Sequence, residues 1–153
     1  MTNDQSRPES GGLSYALPEF AESAIVVLPV LVEGDLGVYS NEVSTLAKEL
    51  RAAGVASDYL HDADHRQWRI NMGEVPVDLV VGVASAIIGS GLWDAFVAFL
   101  TTRYPRNEVR LRIVRQRRRP NGDRTNTTVE ISGSGRQLRK LLETALKADA
   151  ESE

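Results

Sequence analysis

From Val77 to Leu100 the chain reads VDLVVGVASAIIGSGLWDAFVAFL, and no other stretch gathers so many apolar residues with so few charges. Any core must be built against it, because burial of apolar surface is the dominant driving force of folding. Three conformations compete for it. A membrane span needs about 20 apolar residues, but Asp94 lies inside the stretch and Asp78 and Arg103 flank it, a costly arrangement in hydrocarbon. A strand over Leu79 to Val83, followed by a helix opening at Gly89-Ser90-Gly91, would resemble a phosphate-cradling loop. That motif lacks both the remaining glycines of a dinucleotide fingerprint and the lysine of a P-loop. The third conformation is one buried helix, bent near Gly89 and Gly91 and ending before Pro105. Small residues Gly82, Ser85, Ala86 and Gly89 would then allow close approach, and Trp93, Phe96, Val97 and Leu100 would supply bulk. Periodicity and length favour this helix.

The remaining elements are read against that centre. AIVVLPVLVE, Ala24 to Glu33, is rich in β-branched residues and predicts a strand, with Pro29 placing it at an edge or a bulge. Beyond an N-cap at Ser40 or Asn41, the residues Val43, Leu46, Ala47, Leu50 and Ala53 follow helical spacing, and Gly54 ends the run. Short strands are expected within Val55 to Leu60 and Arg66 to Ile70. VRLRIVRQRR and TNTTVEIS flank Asn121-Gly122, the strongest short hairpin signal. Leu111 and Ile113 alternate with Arg110 and Arg112, so one hairpin face can pack while the other carries charge. Ser134 and Gln137 fit a capping box, and Leu138, Leu141, Leu142 and Ala145 form the stripe of a last helix.

Together these elements predict an α+β domain: a mixed or antiparallel sheet of about four strands packed with three helices, the central helix Gly/Ala-rich and buried. It is expected to span residues 23–148, between a disordered N-terminal tail at 1–22 and a frayed acidic C-terminus at 149–153. The chain has no cysteine, which excludes disulfides and thiolate chemistry. Its start, MTNDQSRPESGG, lacks the basic and apolar regions of a secretory signal, so a cytoplasmic location is expected.

Three constellations bear on chemistry. His61-Asp62-Ala63-Asp64-His65 spaces the chain's two histidines four apart, which on a helix would put both imidazoles on one face beside carboxylates. It resembles a zincin motif with Asp in place of Glu. His61, Asp62, Asp64 and His65 are therefore the metal candidates, with no later histidine for a third imidazole. A polar surface loop is the simpler expectation, and a metal-dependent activity at His61 and His65 stays open. Ser85, Ser90 and Ser132 lack the context of a nucleophile elbow and read as packing or capping residues. No cofactor is expected.

The third and strongest feature is electrostatic and lies between residues 102 and 124. Arg103, Arg106, Arg110, Arg112, Arg115, Arg117, Arg118, Arg119 and Arg124 face only Glu108 and Asp123 there. Residues 1–78, by contrast, hold 5 basic and 13 acidic side chains. The two halves attract, which could orient self-association or present separate faces to separate partners. Arg112, Arg115, Arg117, Arg118 and Arg119 are the candidate partner-binding residues. A solvated hairpin face and an acidic protein partner are together favoured over nucleic acid, because the total charge is acidic, nearby aromatics are scarce and a recognised reading motif is missing.

The DLVVGVASAIIGSGLWDAFVAFLTTR segment, the VRLRIV strand, the NGD turn, TTVEIS and the RQLRKLLETAL helix follow one another in an order that resembles the effector-associated constant component of bacterial conflict systems. The resemblance covers about residues 24 to 147. It implies a noncatalytic adaptor or regulatory component, coupled to an effector such as a protease or nucleotide-dependent regulator in antiphage defence. The alternatives are a nucleic-acid-binding module using the arginine hairpin and a membrane-directed effector using residues 77–100.

Overall fold

The centre of the molecule is a strand. In the computed structural model, which describes residues 15–70 and 77–151, Val77–Ala84 is extended, Ser85–Ile87 forms a 3-10 turn, and a helix begins only at Gly91. This corrects the expectation of one helix through residues 77–100. The residues Val77, Val80, Val81 and Val83 are β-branched, and a strand buried on both faces shows a continuous apolar run instead of alternation. Pooled with the helix that follows, such a run passes for one long helix. Among the described residues no helix is long and apolar enough to cross a membrane.

In chain order the elements are β1 (Ile25–Val27), β2 (Leu31–Glu33), β3 (Leu36–Ser40), α1 (Leu46–Ala52), β4 (Ser57–Tyr59), β5 (Arg66–Arg69), β6 (Val77–Ala84), α2 (Gly91–Arg103), β7 (Glu108–Arg118), β8 (Arg124–Ser134) and α3 (Gly135–Glu151). The fold is α+β, with two mixed sheets: five strands in the order β4-β1-β6-β7-β8 and three in the order β2-β3-β5. Strands β6 and β7 run parallel, in register from Val77–Val109 to Ala84–Gln116. The expected single sheet of about four strands is thus divided. The AIVVLPVLVE run supplies both sheets, because the chain leaves the first at Leu28 and enters the second at Leu31, with Pro29, which has no N–H for a ladder, at the crossing.

The five-stranded sheet has two buried faces. On one, Val77, Leu79, Val81, Val83, Val109, Leu111 and Ile113 pack with Leu46 and Leu50 of α1, Phe96 and Leu100 of α2, and Leu138 and Leu142 of α3. On the other, Val80 and Val114 meet Phe20 and Leu28, with Tyr15 and Leu17 packed at the margin. Tail residues 15–22 therefore lie against the sheet. The expectation of disorder through residue 22 is corrected for that part, while residues 1–14 lie outside the described residues. Helix α3 continues past the expected boundary to Glu151.

The helices begin where their caps dictate. Ser90 Oγ accepts a hydrogen bond from Trp93 N at 3.4 Å and donates to Ile87 O at 2.5 Å, so this serine is a helix cap. Trp93, Phe96, Val97 and Leu100 are buried in α2, while Gly82 belongs to β6, Ser85 and Ala86 to the 3-10 turn and Gly89 to the turn that follows. The four small residues expected in the central helix therefore all lie outside it. The helix expected from residue 41 is split into a 3-10 turn at Asn41–Val43, capped by Ser40, and α1, with Val43, Leu46, Ala47 and Leu50 on the predicted buried face. Gln137 Oε1 accepts from Ser134 N at 2.9 Å, which is the backward arm of the predicted capping box.

At the start of α3, a Cβ on Gly135 would be driven into the Tyr104 carbonyl, whereas one on Gly91 would meet open space. Replacing Gly135 with Ala should destabilise the fold by about 2 kcal/mol or more through backbone displacement. Gly91→Ala should stay within about 0.5 kcal/mol. Urea denaturation of both variants checks this packing; equal midpoints would refute it.

Candidate functional site

The arginine-bearing hairpin is built as its sequence predicts. Strands β7 and β8 pair from Glu108–Ser134 to Arg118–Arg124. At the tip Arg119 N donates to Asp123 O at 2.7 Å, and Gly122 N donates to Arg119 O at 2.9 Å. Gly122 takes φ 94°, a left-handed conformation natural to glycine. This long antiparallel ladder, continued by parallel pairing to β6, makes the hairpin a rigid platform.

The alternation of β7 sends the arginines to different fates. Arg110, Arg112, Gln116 and Arg118 share a face with Val114, whereas Arg115 and Arg117 share the helix-covered face with Ile113. Arg112 is only 9 % exposed and Arg115 only 6 %. Arg112 Nη2 reaches Asp78 Oδ1 at 3.3 Å, and Arg110 Nε lies 3.1 Å from Glu130 Oε2. Since Arg112 and Glu130 are also cross-strand neighbours, alternating charges run across β6, β7 and β8 and neutralise the inner part of the ladder. Of the candidate partner-binding residues, Arg112 and Arg115 are thus corrected to internal roles, and the distal Arg117, Arg118 and Arg119 lie near the surface.

At that distal end the sheet carries a groove of about 230 Å³. Its lining includes Glu19, Phe20, Ser85, Arg117, Arg118 and Arg124. Residues 15–22 lie outside any helix or strand, and Glu19, Phe20 and Glu22 form one wall of the groove. Phe20 is 4 % exposed and seats its ring over Gly82, where an added Cβ would stand 2.5 Å away. Gln116 clamps the segment from below: its Oε1 accepts from Phe20 N at 2.7 Å and its Nε2 donates to Pro18 O at 2.9 Å. Glu19 pairs with Arg118, a contact that holds the Glu19 carboxyl below its ordinary pKa. Arg119 Nε donates to Thr125 Oγ1 at 2.9 Å.

Sequence reasoning missed Glu19, Phe20 and Gln116. Phe20 is a large apolar side chain in a polar tail, and Gln116 is the neutral interruption of RIVRQRR. Each is a signal, but their pairing spans almost the whole domain and leaves no local periodicity.

The histidine motif is not on an α-helix. His61 precedes a 3-10 turn at Ala63–His65, and the two rings turn to different partners. Burial pushes the pKa of the Tyr39 hydroxyl up to about 12, so it stays protonated. It lies 3.1 Å from His61 Nδ1 and accepts from His61 N at 3.1 Å. Partial burial lowers the His61 pKa. His65 Nδ1 instead meets Asp62 Oδ1 at 2.5 Å, with Asp35 3.6 Å from Nε2, and the Asp62 hydrogen bond raises its pKa. Among the described residues no group of three or more His, Asp or Glu side chains forms a metal-ligand set. Around His61 the Tyr39, Tyr59 and Trp68 rings pack together, and the Arg66 guanidinium lies 4.4 Å over Tyr59.

No protein-family model, curated protein or solved structure matches the chain.

Two outcomes follow from this geometry. Arg112→Ser leaves Asp78 without its ion-pair partner in a mostly buried position and should destabilise by about 2 kcal/mol, whereas Arg119→Ser should stay within about 0.5 kcal/mol; chemical denaturation compares them. The two imidazoles should titrate in NMR on opposite sides of the ordinary value, His61 below and His65 above. The stability contributed by neutral His61 is then present above the unfolded value of about 6.5 and lost as pH falls through the lower, folded one. That from protonated His65 is present below the same unfolded value and lost as pH rises through the higher, folded one. A reversed order of titration would refute both placements.

Proposed function

We propose that this chain is a noncatalytic adaptor or regulatory component that docks an acidic segment of an effector protein on the distal end of its arginine hairpin. One observation carries the reading: Arg118 already holds a carboxylate, the chain's own Glu19, at the rim of a groove that Arg117 and Arg124 also line. Guanidinium groups suit carboxylates through planar, multiply donating geometry. Fixed on a rigid hairpin, they present that charge with little ordering penalty on binding.

The resemblance to the effector-associated constant component family supplies the context. The setting it implies is a bacterial defence or conflict system in the cytoplasm, with a protease or nucleotide-dependent regulator as the effector. The scarcity of aromatic side chains beside these arginines favours a protein partner over nucleic acid, which would use base stacking as well as phosphate contacts. The serine that opens α2 is engaged as a cap, which is consistent with a noncatalytic role.

Replacing Arg117, Arg118, Arg119 and Arg124 together with Ser should abolish recovery of an acidic effector in copurification from the native host followed by mass spectrometry. Arg112 and Arg115 are left intact so that the core is preserved. Recovery of the same partner by the folded variant, or of no effector by the native chain, would overturn the reading. Salt-sensitive binding of a labelled oligonucleotide, lost in the variant, would replace it with a nucleic-acid module.

A further inference from the structure

The way residues 15–22 are held resembles a bound ligand more than an element of the fold. The segment forms no strand with the sheet beneath it. Among the described residues its backbone is gripped by one side chain, Gln116, at Pro18 O and Phe20 N. Tyr15 adds a hydroxyl hydrogen bond to Pro29 O at 2.6 Å. Glu19 and Arg118 are each about half exposed, so their ion pair is screened by solvent and adds little. The deepest anchor is Phe20 over Gly82, with Tyr15 and Leu17 packed only at the margin. A short segment with one buried side chain, no strand pairing and few buried polar contacts opens locally at a free energy below that of global unfolding.

The receptor beneath it is the opposite. Gly82 lies in β6, which pairs with both β1 and β7, and Gln116 and Arg118 lie in β7, paired on both sides or at the hairpin edge. Nothing larger than glycine fits under the ring. With residues 15–22 lifted away, the groove would extend over Gly82 and offer three fixed recognition points: an aromatic seat at Gly82, a backbone clamp at Gln116 and a carboxylate rest at Arg118. Extended peptides are recognised by this division of labour, in which main-chain hydrogen bonds hold the peptide and side-chain pockets select it.

We infer that this groove is a receptor for a partner's acidic–aromatic segment, a carboxylate followed directly by Phe, which binds in place of the chain's own residues 15–22. The inference rests on the adaptor reading and specifies the chemistry of what docks. The chain's own segment then lowers the apparent affinity of any partner by the fraction of time it occupies the groove.

The test uses a fluorescent peptide with the sequence of residues 15–22, titrated against full-length protein. The double variant Glu19→Ala, Phe20→Ala removes the ring from its seat and the carboxylate from Arg118, loosening the segment in cis, and should bind the peptide at least about tenfold more tightly than the native chain. Should that variant unfold, Glu19→Lys keeps the Phe20 anchor, opposes Arg118, and should give a smaller gain in the same direction. In the double variant, Gly82→Ala has room in cis but blocks the incoming Phe, and should reverse the gain; Arg118→Ala should weaken binding as well. Equal affinity of native and vacated proteins, indifference to Gly82→Ala, or equally tight binding of a scrambled peptide would overturn the inference. If peptide binding still falls with the loss of Arg118 while ignoring Gly82, the groove fails and the arginine-hairpin reading stands. If neither residue matters, both fail.

Discussion

The parallel pairing of β6 with β7 is the constraint from which the rest of the structure follows. A parallel pair at the centre of a sheet needs cover on both faces, because side chains alternate and both sets are apolar here. Helices α1, α2 and α3 cover one face. The other is covered by the N-terminal segment through Phe20 and by the crossing at Leu28. The small glycine in β6 lets an aromatic ring lie directly on the backbone there.

The same face holds charges of β7. Alternation along VRLRIVRQRR puts Arg110, Arg112 and Arg118 together there; within the sheet Asp78 of β6 meets Arg112 and Glu130 of β8 meets Arg110, while the covering segment supplies Glu19 to Arg118. Positive charge remains concentrated at the distal tip, where Arg119 and Arg124 flank the turn. Binding chemistry and structural charge are thus separated along one strand by distance from the domain's middle.

Much of this is legible in the sequence where the determinant is local. Asn121-Gly122 announces the hairpin, Ser134 and Gln137 the start of α3, and Val43, Leu46, Ala47 and Leu50 a buried helical face, because turn chemistry, capping and period depend on neighbouring residues. Where the determinant is tertiary, legibility fails. Residues 77–84 read as helix because a strand buried on both faces has no period of two. Pro29 signals a break, but not that the chain changes sheets there. The burial of Arg112 and the clamp of Gln116 on Phe20 depend on contacts between residues far apart in the chain, to which no local pattern points.

On the reading proposed above, a slowly opening β6–β7 platform carries a separately and more easily opened segment at residues 15–22. Native-state hydrogen exchange measures both at once. The amides from Leu79 through Val83 and from Leu111 through Arg115 should exchange only with global unfolding, while Phe20 N–H should exchange at a markedly lower opening free energy. Phe20 protected as strongly as the central strands, or Leu79 to Val83 exchanging well before the global transition, would contradict it.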